Sequence, residues 1–172
     1  HPFDAKQGWG RLDADAVLDP ASTVLYFDQP VSLDNTGETW TYEFTTSDPL
    51  FGLHAMLVWT DAPGHGLGGI TPAWVNDLDL SLSIDGQTYL GNNFGPDGYS
   101  LTGGARDGMN NTEGIFLSAS PEGTYTFTVT GANISGDGIP NEGDETDQDF
   151  ALVIYLDYEQ EMYEYIFTIF YR

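Results

Sequence analysis

The 172-residue chain contains no cysteine. That excludes disulfide staples, thiol nucleophiles and zinc–thiolate sites, and it leaves the redox compartment open. Cationic side chains are nearly as scarce: four lysines and arginines stand against 27 aspartates and glutamates, a formal net charge of −23. Such a surface argues against nucleic acid or an anionic membrane as partner. It suits a protein that binds cations, or one that works in salt or outside the cell. No apolar run approaches the roughly 20 residues of a membrane span. There is no signal peptide and no initiator methionine, since the chain begins His1-Pro2-Phe3. It reads as a piece of a longer precursor whose targeting signal lies elsewhere.

Catalytic machinery is also missing. The three histidines are His1, His54 and His65. His54 opens an apolar run and reads as structural; His65 sits in a glycine-rich loop with no serine nearby. There is no G-x-S-x-G and no Gly-Thr-Ser motif. A glycosidase pair carries no signal either, because among 27 acids some pair always looks suitable.

What is present is strand texture. Val75-Asn76-Asp77-Leu78-Asp79-Leu80-Ser81-Leu82-Ser83-Ile84 alternates apolar and polar residues with a period of two, which predicts a strand with one core face and one wet face. Asp77 and Asp79 share the wet face, with Cβ atoms about 7 Å apart. Like charges that close repel unless water, a proton or a cation intervenes. Hydrated surface acids explain this stretch alone as readily as a calcium-binding rim does.

Further strands are expected at Thr23 to Phe27, Val31 to Leu33, Trp40 to Phe44, Leu53 to Thr60, Gln87 to Leu90, Ile115 to Leu117, Thr124 to Thr130 and Asp149 to Tyr155. The continuous apolar run Leu53 to Thr60 predicts the middle of a sheet. Asp85-Gly86 predicts a two-residue hairpin, and Gly91 to Gly114 reads as a long polar connection. The one helical pattern is Gly8 to Leu18, before Pro20. About eight strands after one short helix predict an all-β fold, an antiparallel β-sandwich or jelly roll. The tail from Glu159 to Arg172 alternates Tyr163, Tyr165, Phe167, Ile169 and Tyr171, but its other face is apolar too, and the pattern fits an extra strand and a linker equally.

Calcium is the cofactor this composition favours, because it takes six to eight oxygens from carboxylates, amides, carbonyls and water. Three clusters offer them: Asn76, Asp77 and Asp79; Asp107, Asn110, Asn111 and Glu113; and Asp137, Asn141, Asp144 and Asp147. None has EF-hand spacing. The third resembles Asp-Gly-Ile-Pro calcium repeats without their preceding alternating aspartates. Solvated turns rich in Asp and Asn explain any single cluster about as well; for at least one of the three, the metal is favoured. In a sandwich, the start of the Asp77 strand and the Asp107–Glu113 segment would meet at one rim. Among the tryptophans, Trp40 and Trp59 fall in strand runs, whereas Trp74 follows Pro72 in a loop and is the candidate for contact with a protein or polysaccharide target.

Gly8-Trp9-Gly10-Arg11-Leu12-Asp13 followed by Ala16-Val17-Leu18 resembles the end of a subtilisin-like serine protease catalytic domain. Leu57 to Gly64, Val75 to Leu80, Gly91-Asn92-Asn93-Phe94, Asn110-Asn111-Thr112-Glu113, Gly123-Thr124-Tyr125 and Asp147 to Val153 resemble, in order and spacing, the C-terminal β-barrel of secreted bacterial subtilases. That domain is a jelly roll similar to the P domain of proprotein convertases. The resemblance implies residues 1–21 as the end of a catalytic domain, 22–157 as the jelly roll and 158–172 as a tail that matches nothing. It implies a secreted protein and a non-catalytic domain that binds calcium and stabilises its protease. Its partner would be the catalytic domain of the same precursor, with protein substrate as a further contact. A stand-alone carbohydrate-binding jelly roll is the alternative.

Overall fold

Asp85 and Gly86 both adopt left-handed backbone, with φ of 49° and 71°. That is the geometry of a tight hairpin turn whose twist matches its flanking strands, and it folds β4 (Asp77–Ile84) onto β5 (Gln87–Phe94). The computed structural model describes residues 3, 4, 6, 8–12, 14–18, 22–64, 66, 74–143 and 145–158. Within them lie α1 (Ala14–Leu18) and, besides that hairpin, β1 (Thr23–Asp28), β2 (Thr39–Thr46), β3 (Gly52–Val58), β6 (Ser100–Thr102), β7 (Thr112–Leu117), β8 (Gly123–Asn133) and β9 (Ala151–Asp157).

The strands form two antiparallel sheets. One has the order β1-β9-β3-β7 and the other β2-β8-β4-β5-β6. Apart from the β4–β5–β6 meander, successive strands alternate between the sheets, which is the jelly-roll wrap expected from the strand pattern. Period-two alternation builds the core. Leu78, Leu80 and Leu82 on β4 face Leu53, Leu57 and Ile154 of the other sheet, all at most 1% exposed. Tyr125, Phe127 and Val129 of β8 complete that layer. The run beginning at Leu53 lies inside its sheet, as expected, with β3 between β9 and β7.

Several boundaries differ from expectation. Val31 to Leu33 forms no strand; Leu33 makes only an isolated bridge to Gln148. The Gly91–Gly114 connection is not wholly a loop. Its first residues extend β5, and Ser100–Thr102 returns as β6. The next strand begins at Thr112, so Glu113 belongs to β7 rather than to a loop. The helix spans five residues, Ala14–Leu18, and the expected start at Gly8 is not helical: Gly8 and Gly10 take positive φ, 58° and 89°. Trp9 beside them packs edge-on against Phe94 and Phe116, so this segment is tied to the sandwich. His54 stacks on Phe116, and burial lowers its imidazole pKa. Residues 159–172 and His65 lie outside the described residues.

Candidate metal centre

The wet face of β4 is not wet at its start. Asp77 is 7% exposed and Asp79 3%. This corrects the reading of these acids as offered to solvent: alternation assigns a side of the sheet, and a distant segment then covers that side. The cover is the stretch after β6. Arg106 Nη1 reaches Asp79 Oδ2 at 2.7 Å, Gly108 lies against Asp77, and Trp74 donates its indole N–H to Gly108 O.

Glu113 arrives from the other sheet. The β4–β5 pairing runs only as far as Ser81↔Leu90. The next amide on β4, Leu80 N–H, donates instead to Glu113 Oε2 at 2.6 Å. Gly91 makes room for that carboxylate, since a Cβ there would overlap Glu113 Oε2. Glycine inside a strand commonly marks such a close approach.

Asn92 holds the wall beside it in left-handed backbone, φ 58°. Its Nδ2 donates to Asp107 Oδ2 at 2.5 Å and to Thr112 O at 2.8 Å, and its Oδ1 accepts from Gly114 N at 2.9 Å. Asn110 Nδ2 donates to the same Asp107 oxygen at 2.7 Å. Asn111 turns the other way and donates to Trp59 O. Asp61 caps the entry to β4 by accepting from Val75 N and Asn76 N.

The result is an acidic cavity with too few donors. Asp77 Oδ1, Asp79 Oδ1 and Glu113 Oε1 are buried and have no hydrogen-bond partner. The carboxyls respond as buried acids must. Burial, reinforced by repulsion from Asp79, Asp107 and Asp61, pushes Asp77 up to about 6. Burial pushes Glu113 up to about 8, against the favourable Leu80 hydrogen bond. Burial raises Asp79 as well, with Arg106 opposing.

The donor chemistry fits a hard cation. Every orphaned atom is a carboxylate oxygen, Asp107 stands alongside with its Oδ2 accepting from Asn92 and Asn110, and among the described residues one half-exposed arginine is the cation in contact. Among the described residues no group of three or more histidine, cysteine, aspartate or glutamate side chains is placed to hold a metal ion.

The sequence-predicted residues therefore divide. Asp77, Asp79, Asp107 and Glu113 stand close enough for their charges to interact, while Asn110 donates to Asp107 and Asn111 to Trp59 O. Asp137, Asn141 and Asp147 lie in a separate loop before β9, and Asp144 is outside the described residues. Trp74 is half-buried and lines an open hollow of about 330 Å³ with Asp61, Ala62, Met109 and Asn110. Sequence reasoning missed Arg106, Gly91 and Asn92 as parts of this centre. Of these, only the glycine within a strand left a local signal.

Comparison with known proteins adds context. The chain is 31% identical over 150 residues to the serine protease/ABC transporter B family protein tagA of Dictyostelium discoideum, an alignment spanning 81% of this chain. It covers 8% of that much longer protein, so the likeness is to a small piece of it. No family model matches. Among solved structures, a Bacillus licheniformis lipase, BlEst2, in its propeptide form aligns over 80% of this chain and 22% of its own, at 7% identity and a TM-score of 0.40. A Sulfurospirillum deleyianum protein aligns over 80% of this chain and 98% of its own, at 10% identity and a TM-score of 0.35. Superpositions this loose bear on neither topology nor function.

Proposed function

We propose that this jelly roll is a non-catalytic accessory domain of a secreted, subtilisin-like serine protease, and that it binds calcium between β4 and β7. The observation that carries the calcium reading is the set of three buried carboxylate oxygens without partners, on Asp77, Asp79 and Glu113. A divalent ion binding only the folded state supplies what those oxygens lack and stabilises the domain. The protease context is supported by the likeness to a piece of a protein named as a serine protease and by the sequence resemblance of residues 8–156 to a subtilase C-terminal barrel. Its partner in this reading is the catalytic domain of the same precursor. Trp74, with its ring edge on an open hollow, is the proposed contact for a protein substrate.

Calorimetric titration of the purified chain with calcium tests the reading, with a peptide-hydrolysis assay on the same sample. Saturable binding and no hydrolysis sensitive to a serine-directed inhibitor are expected, because a serine protease needs nucleophile, base and oxyanion hole assembled together. Absence of calcium binding at millimolar ion sinks the metal reading. Inhibitor-sensitive hydrolysis sinks the accessory reading.

A further inference from the structure

Asp147 lies in the loop before β9, is 1% exposed, and has two carboxylate oxygens in unequal surroundings. Oδ1 accepts from Gly138 N and Ile139 N, both at 3.1 Å. Oδ2 is buried and has no hydrogen-bond partner. It faces Gly143, where an added Cβ would stand 2.7 Å from it. The loop is bent around this atom. Asn141 and Gly143 take positive φ, 73° and 71°, and Glu142 N bonds back to Ile139 O at 3.1 Å. At the base, Gly138 N donates to Asp147 O and Asp147 N to Gly136 O. Among the described residues the loop thus encloses a carboxylate oxygen and gives it no donor.

No side chain close in sequence can neutralise it. The chain has no lysine or arginine between Arg106 and Arg172, and Arg106 is engaged with Asp79. The other side chains of the loop that could bind an ion are, by sequence, Asp137, Asn141, Glu142, Asp144, Glu145 and Thr146, with no histidine or cysteine. That set is hard oxygen throughout, which selects calcium-class ions over transition metals.

We propose that the loop from Gly136 to Asp147 holds a divalent cation of the calcium class, anchored on Asp147 Oδ2. It shares no residue with the cavity between β4 and β7, and it rests on its own buried orphan atom. Its effect would reach the core through Asn76. That side chain is fully buried and donates to Gly136 O, Asp147 O and Gln148 Oε1. It also accepts from Ser135 N and Gly136 N. An ion that fixes the loop therefore fixes the entry to β4 as well.

Calcium titration of the ¹⁵N-labelled chain, followed by NMR, tests this. The amides of Gly138, Ile139, Gly143 and Asp147 should shift and saturate. Asp147→Asn should abolish that response while the Leu80 and Gly114 amides still report the other cavity. Gly143→Ala keeps the carboxylate and places a methyl beside Oδ2; it should weaken the loop response at least tenfold, and it decides the matter if Asp147→Asn does not fold. Loop amides that ignore calcium in the folded protein overturn the proposal, as does an unchanged loop response in a folded variant. A response at Leu80 and Gly114 alone would leave the first site standing and remove this one; the converse would do the reverse.

Discussion

Leu80 and Glu113 lie 33 residues apart and on different sheets, yet the backbone N–H of one donates to the carboxylate of the other at 2.6 Å. The bond stands where β4 and β5 stop pairing, so Glu113 both ends a strand ladder and brings a titratable carboxyl into the interior, where burial raises its pKa to about 8. Its second oxygen has no partner. Stability and acidity therefore meet at one side chain, which is also the centre of the proposed cation site.

Replacing Glu113 separates those roles. Glu113→Gln keeps an acceptor for Leu80 and removes the charge, so the calcium-free protein should melt no lower than wild type while its response to calcium largely disappears. Glu113→Ala leaves a buried N–H unsatisfied and should cost about 1–3 kcal/mol. Urea midpoints for both variants, with and without calcium, check the pair.

The calcium-free protein should lose stability as pH rises. Glu113 stands near 8 when folded, above its ordinary value of 4.5, and Asp77 near 6, above 3.8. Between the ordinary and raised values the folded state binds more protons than the unfolded chain, so stability falls with increasing pH. The loss should run from about pH 4 to 6 for Asp77 and continue to about pH 8 for Glu113. Each tenfold change in acid strength is worth about 1.4 kcal/mol, which makes the combined upper bound on the order of 8 kcal/mol, for groups that titrate independently. Saturating calcium holds the carboxylates ionised and should flatten the slope. Melting curves across pH 4–9 in chelator and in calcium read both.

Gly91→Ala should be destabilising for a steric reason alone, because Gly91 is not among the positive-φ residues. The new methyl overlaps the Glu113 carboxylate. Overpacking of this kind costs about 1–3 kcal/mol, and displacement of Glu113 should weaken calcium binding too. Denaturant midpoints and calcium affinity, measured on one preparation, should fall together.

Arg106→Gln should lower the stability of the calcium-free protein and enlarge the gain on adding calcium. Asp79 loses its cationic partner, while Arg106 itself is 51% exposed, so the direct cost should be modest, roughly 1 kcal/mol. A calcium-induced shift no larger than that of wild type would count against Asp79 as part of the site.

Much of this fold was legible in local pattern. The alternation from Leu78 to Ile84, the Asp85-Gly86 turn and the apolar run from Leu53 each led to the element observed. Short β6 was not, because three residues between glycine-rich turns carry too little periodicity. The burial of Asp77 and Asp79 was hidden for a different reason. Period two says which side of a sheet a residue takes, and only tertiary structure says that Arg106 and Gly108 return to cover that side. Glu113 reaches the start of β4 as a carboxyl beside Gly91 and bonded to Leu80 N, an arrangement whose one sequence trace is Gly91.

The most direct test of the account is the melting temperature of the purified chain in calcium, in chelator, and in magnesium at equal ionic strength. With free calcium a hundredfold above its dissociation constant, the folded state gains about 2.7 kcal/mol, a rise of roughly 5–10 °C for a domain of this size. The account predicts that rise in calcium, a much smaller one in magnesium, and its loss in Glu113→Gln. A midpoint that does not move with calcium, or that magnesium moves equally, contradicts it.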